Sequence, residues 1–74
     1  MANIYRTMAA DYSELAYIQA HMRAMCLDAA LDKKLPFKVR KNSIRQARYH
    51  QKEVVAYAEQ VELHLEQALE KDLS

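Results

Sequence analysis

Apolar residues recur in steps of three and four over two long stretches, and the pattern breaks once, around Pro36. Between residues 12 and 31, Leu15, Ile18, Met22, Met25, Cys26 and Ala29 fall on one side of a helical wheel. Ala16, Tyr17, Ala20, Ala24, Leu27 and Leu31 fall on the other side. Glu14, His21 and Asp28 separate these stripes along one edge, and Gln19 and Arg23 along the other. A helix resting on one neighbour needs a single stripe, so two predict a first helix covered on both sides. The first series also runs backwards through Met8 and Ile4, interrupted by Asp11. Asp11 followed three residues later by Glu14 has the form of a capping box. It predicts a helix start near residue 12, with residues 1–10 a loose arm; the alternative is a helix that begins near Asn3.

The second stretch, residues 43–71, carries Ile44, Ala47, Gln51, Val54, Ala58, Val61, Leu65 and Ala68 at the spacing of a packing seam. Gln51 alone breaks it, either as a polar residue that sets register or as one that reaches water. Ser43 with Gln46 forms a second capping box. Between the helices, Leu35, Phe37 and Val39 alternate with polar residues around Pro36, which reads as a short extended segment over 32–42. That is longer than most helix connections, long enough to fold back over the second stripe of the first helix. The second helix, about 40 Å against about 30 Å for the first, has its excess at the C-terminal end. Residues 3–11, if helical, would cover that overhang, with Ile4 and Met8 near Leu65 and Leu69. The expected architecture is all-α in one domain spanning 1–74. It is an αα-hairpin of helices about 12–31 and 43–71, with an extended Pro-containing connection packed back on it.

Composition supports helices and removes several chemistries. The chain has no Gly, and phosphate-cradling loops, dinucleotide fingerprints and EF-hands all need Gly where the backbone approaches a ligand or turns sharply. The single Cys26 cannot form an intramolecular disulfide, which suits a reducing compartment. Residues 1–30 contain Asp11 and Glu14 and lack the apolar core of a secretory signal, and no apolar run is long enough to span a bilayer. A cytoplasmic protein without membrane contact is expected.

Charge changes the picture most. Lys33, Lys34, Lys38, Arg40, Lys41, Arg45, Arg48 and Lys52 lie in one stretch free of Asp and Glu, within a chain whose formal charge is only +1. Beyond it, Glu53, Glu59, Glu62, Glu66, Glu70 and Asp72 outnumber Lys71. Arg45 and Lys52 share a helix edge with Glu59 and Glu66, so that edge runs from positive at the N-terminus to negative at the C-terminus. The helix macrodipole favours the reverse order. A local rule broken without structural benefit points to function, here to binding an acidic protein surface or phosphate. Phe37, Tyr49 and His50 lie within the stretch and could stack on bases; Ile4, Tyr5 and Arg6 are auxiliary contacts if the arm takes part.

Other constellations read as structure. His50 and His64 are fourteen residues apart, and His21 and Cys26 are five apart on different faces. Neither has the spacing of a helical metal site, so no metal or cofactor is expected. Cys26 on an apolar stripe reads as a small core residue, and Glu53, Glu59 and Glu62 as a solvated face. No catalytic residue is assigned and no enzyme is expected.

In its size, its lack of catalytic groups and the concentrated charge of Lys33–Lys52, the chain resembles small phage-encoded proteins that bind and inhibit bacterial RNA polymerase. The resemblance is one of class and transfers no individual residue. It implies a non-enzymatic regulator that docks on a larger assembly, with RNA polymerase as the expected partner. Direct DNA or RNA binding by the same patch, and a homodimer or other homo-oligomer built on the helix stripes, are the alternatives.

Overall fold

The computed structural model describes residues 3–73, which form two antiparallel helices, α1 (Ile4–Leu31) and α2 (Phe37–Leu73), joined by residues 32–36. The all-α hairpin is therefore present, with boundaries and a seam that differ from expectation for local reasons. No helix among the described residues is long and apolar enough to cross a membrane.

α1 does not stop at Asp11, which lies exposed in mid-helix. The N-cap is Asn3, whose Oδ1 accepts from Tyr5 N at 3.0 Å. Its Nδ2 donates to Ala68 O and Asp72 Oδ1, both at 3.1 Å. Arg6 forms an ion pair with Asp72 across the same gap. One side chain thus satisfies an orphan donor of α1 and ties the helix start to the last turns of α2. That tie is what makes residues 4–10 helix rather than a loose arm; residues 1 and 2 of the expected arm lie outside the described residues. The overhang of α2 is covered as the helical alternative required, but by Asn3 and Arg6. Ile4 and Leu69 remain exposed.

The connection is a tight turn, not an extended segment. Asp32 N donates to Ala29 O, Leu35 N donates to Asp32 O, and Lys34 N donates to Asp32 Oδ1 at 2.9 Å. The Asp side chain supplies the turn that Gly often supplies elsewhere. Pro36 disfavours the helical region for Leu35, and its carbonyl accepts from Arg40 N at 3.1 Å, so it caps α2. Residues 37–42 become the first turns of α2. Phe37 and Val39 therefore do not fold back over α1: Phe37 is 77% exposed and Val39 47%. Ser43, expected as a cap, instead donates Oγ to Val39 O at 3.0 Å inside the helix.

The seam is the third difference. The seam residues of α1 are Tyr5, Ala9, Tyr12, Ala16, Gln19, Arg23, Cys26 and Ala30, in steps of four and three, with Met8, Ala20 and Ala29 half-buried beside them. Those of α2 are Arg40, Ser43, Ala47, His50, Val54, Tyr57, Val61, His64 and Ala68, again in steps of three and four. Both are coiled-coil repeats, yet only Ala9, Ala47 and Ala68 among apolar residues, with His50 and His64, are buried among the described residues. His50 Nδ1 lies 2.7 Å from Gln19 Oε1. Tyr12 stacks between His64 and Tyr57 at 5.2 and 6.1 Å. His64 Nδ1 donates to Gln60 O at 2.6 Å. Gln51, expected in the seam, is exposed beside it and accepts from Arg23 Nη1 at 2.5 Å.

The large apolar stripes of α1 therefore flank the seam instead of filling it. On one face of the hairpin lie Ile4, Leu15, Ile18, Met22 and Met25 of α1 with Val39, Tyr49 and Leu63 of α2. On the other lie Tyr17, Leu27 and Leu31 of α1 with Phe37, Ile44, Val55, Leu65 and Leu69 of α2, the side on which Arg6 meets Asp72. Two helices form one layer, so among the described residues nothing covers either face. The molecule measures 57 × 16 × 11 Å, with a radius of gyration of 16.9 Å against about 11 Å for a globule of this length.

Two stability changes follow. Asn3→Ala removes the cap and the cross-helix bonds and costs about 1–2 kcal/mol. Urea unfolding measures this, with faster amide exchange in the first turns of α1; an unchanged midpoint would mean that the tie carries no stability. Arg23 Nε is buried without a partner, so Arg23→Met raises stability by about 1 kcal/mol. A loss of stability would show that the Arg23–Gln51 bond outweighs the orphaned donor.

Candidate functional site

The turn and the first half of α2 carry the basic stretch, and the hairpin gathers it at one end. Lys33 and Lys34 occupy the turn; Lys38, Lys41, Arg45, Arg48 and Lys52 are exposed along α2. With α2 beginning at Phe37, Lys38 joins the edge formed by Arg45, Lys52, Glu59 and Glu66. Successive members are about 10.5 Å apart, on the side of α2 opposite the seam. The first turn of α2 holds no acidic residue, so Lys33, Lys34 and Lys38 stand beside the positive end of the helix dipole, uncompensated. Lys38, Lys41 and Arg45, with Val39 and Asn42, line an open groove of about 480 Å³.

Arg40 does not belong to this surface. It occupies a seam position, half-buried, and its Nε donates to Ala30 O at 2.8 Å. Its charge satisfies a carbonyl in the last turn of α1, so its role is to join the two helices where the turn ends. It also borders a smaller hollow of about 270 Å³ with Ala30, Phe37, Lys41 and Ile44.

The auxiliary residues divide between the two ends. Phe37 is at the tip. Tyr49 is 56% exposed, its ring edge-on to His50 at 5.3 Å, which leaves one side of the phenol accessible. Ile4, Tyr5 and Arg6 lie at the opposite end, about 40 Å away along α1. Tyr5 is half-buried beside Gln67, Glu70 and Lys71, and Arg6 is engaged by Asp72. The hairpin does not bring these three to the tip, because α1 and α2 run antiparallel.

Histidines, cysteine and carboxylates do not converge: among the described residues no group of three or more His, Cys, Asp or Glu could hold a metal ion. Cys26 is half-buried in the seam. The residues missed on sequence were the polar members of the seam, Gln19, Arg23, His50 and His64. Their signal was the unbroken three–four spacing, which continues through them when hydrophobicity is ignored.

The division of labour among the cations is testable by truncation. Arg40→Ala lowers stability by about 1 kcal/mol through its lost carbonyl partner, whereas Lys38→Ala and Arg45→Ala stay within about 0.5 kcal/mol of the parent. Thermal unfolding followed by circular dichroism reads both, and equal losses at all three positions would remove the distinction.

No protein-family model, curated protein or solved structure matches this chain.

Proposed function

We propose that the protein is a small, non-enzymatic helical docking module whose basic tip engages an acidic surface of a larger protein assembly. One observation carries the reading: seven exposed cations collect at one end of the molecule, in an order along α2 that opposes the helix dipole. The groove formed by Lys38, Lys41 and Arg45 has the donors to hold carboxylates, with Val39 supplying an apolar floor. Charged rims of this kind raise association rates and select partners more than they add affinity. The resemblance in class to phage-encoded inhibitors makes bacterial RNA polymerase the assembly to test first.

An extended nucleic acid suits the surface less well. Beyond Lys52 the same edge continues into Glu59 and Glu66, so a duplex lying along α2 would leave the cations and meet carboxylates within about 11 Å.

The test is binding of purified bacterial RNA polymerase by the full chain and by the triple variant Lys38→Glu, Arg45→Glu, Lys52→Glu. The variant should lose at least about thirtyfold in affinity, on the order of 2 kcal/mol, with its helicity unchanged. Undiminished binding would defeat the assignment of the tip. Nucleic acid bound without polymerase, with affinity falling steeply as salt rises, would replace the protein partner by phosphate.

A further inference from the structure

The tip leaves the apolar faces unexplained, and one of them carries enough to identify its occupant. We propose that a second copy of this chain covers the face bearing Ile44, Val55 and Leu65, packing antiparallel to the first so that two hairpins close into a four-helix bundle.

The area allows a stable cover. The chain exposes 6040 Å², whereas a compact monomer of its mass exposes about 4,700 Å². Covering one 57 × 16 Å face on each of two copies removes on the order of 2,000 Å² in total, the size of a stable protein interface.

The two faces are not equivalent candidates. Opposite Leu15 and Met22, the α2 half of that face carries Glu53, Gln60 and Gln67 beside the seam. On the other face Leu27 of α1 and Ile44, Val55 and Leu65 of α2 are all exposed, Gln51 lies among them, and the charged residues of α2 lie towards its outer edge and its end.

Charge then sets the direction. Along that face of α2 the charged positions change sign about Val55: Lys41 and Arg48 precede it, and Glu62 and Asp72 follow. Val55 lies midway between Arg48 and Glu62, seven residues from each. A two-fold axis near Val55 therefore sets Arg48 of each copy beside Glu62 of the other and Ile44 beside Leu65. The hollow lined by Phe37, Arg40 and Ile44 receives the C-terminal leucines of the other copy. A two-fold axis along the helices would instead lay α2 of one copy on α1 of the other, where Arg48 would face Ala20, Ala24 and Leu27, so only the antiparallel pair gives it a carboxylate. Lys41 and Arg48 border both surfaces, but Lys38, Arg45 and Lys52, the positions reversed in the docking test, point away from this face, so the dimer and the docking reading can fail separately.

The test uses the full chain with Cys26→Ala and single new thiols at exposed positions. Sedimentation equilibrium should give a dimer at low micromolar concentration; a monomer throughout would overturn the proposal. Under mild oxidation Val55→Cys should cross-link to itself, Leu65→Cys alone should not, and an equal mixture of Ile44→Cys and Leu65→Cys should. Self-linking of Leu65→Cys as readily as Val55→Cys would exclude a two-fold axis near Val55. Linking of Leu15→Cys in place of Val55→Cys would mean the opposite face. Either result overturns the assignment. Arg48→Glu should weaken the dimer about tenfold by reversing two contacts, and adding Glu62→Arg should restore it; failure of that rescue would remove the antiparallel register.

Discussion

A pair of helices has a single seam, and here that seam is made largely of alanines, tyrosines, histidines and valines, with two arginines. Ala9, Ala47 and Ala68 let the backbones approach where larger residues would hold them apart, and Tyr12, Tyr57 and His64 fill the space between. Small residues contribute little apolar area each, so the seam fixes geometry better than it supplies stability. The polar members give it direction. Gln19 against His50 and Arg23 against Gln51 set the register of the hairpin, as buried polar residues do in coiled coils.

Everything outside the seam follows from that choice. The bulky side chains that could have formed a core are displaced to two flanks, where the one-layer fold leaves them in water. Scattered exposed apolar residues are normal on a monomer, but contiguous stripes along both helices mark surfaces made for contact. The same layer gives the charges their arrangement. A turn closed by Asp32 and Pro36 brings Lys33 and Lys34 against the start of α2, and the antiparallel course of α1 carries Arg6 to the far end. The molecule is consequently polar along its length, with a basic tip, apolar flanks and an acidic end.

Much of this was legible in the residues themselves. Absence of Gly, a lone Pro36 and three–four periodicity over two stretches determine an all-α hairpin, because each is a local property of the backbone and the wheel. The concentration of cations and its reversed order along the second helix are also facts of sequence. Less local features were not legible. Asp11–Glu14 and Ser43–Gln46 satisfy the form of a capping box, yet the caps are Asn3 and Pro36. A helix continues past a potential stop when tertiary contacts hold the next turn, and Asn3 is held by Ala68 and Asp72, more than sixty residues away.

The seam shows the same limit most clearly. Of the expected seam, Ala47, Val54, Val61 and Ala68 do face α1, while the fold turned α2 by part of a turn so that His50, Tyr57 and His64 take the places expected of Ile44, Gln51, Ala58 and Leu65. The helices of a single hairpin pack where their backbones can approach and their polar groups can pair, not where the largest side chains lie. By itself the sequence determined the helices, their number and the sign of each end, since these depend on neighbours within a few residues. Only the tertiary structure decided which stripe became the seam, that Arg40 serves the fold and not the tip, and which apolar faces remained open, because each of these depends on two helices meeting in one register.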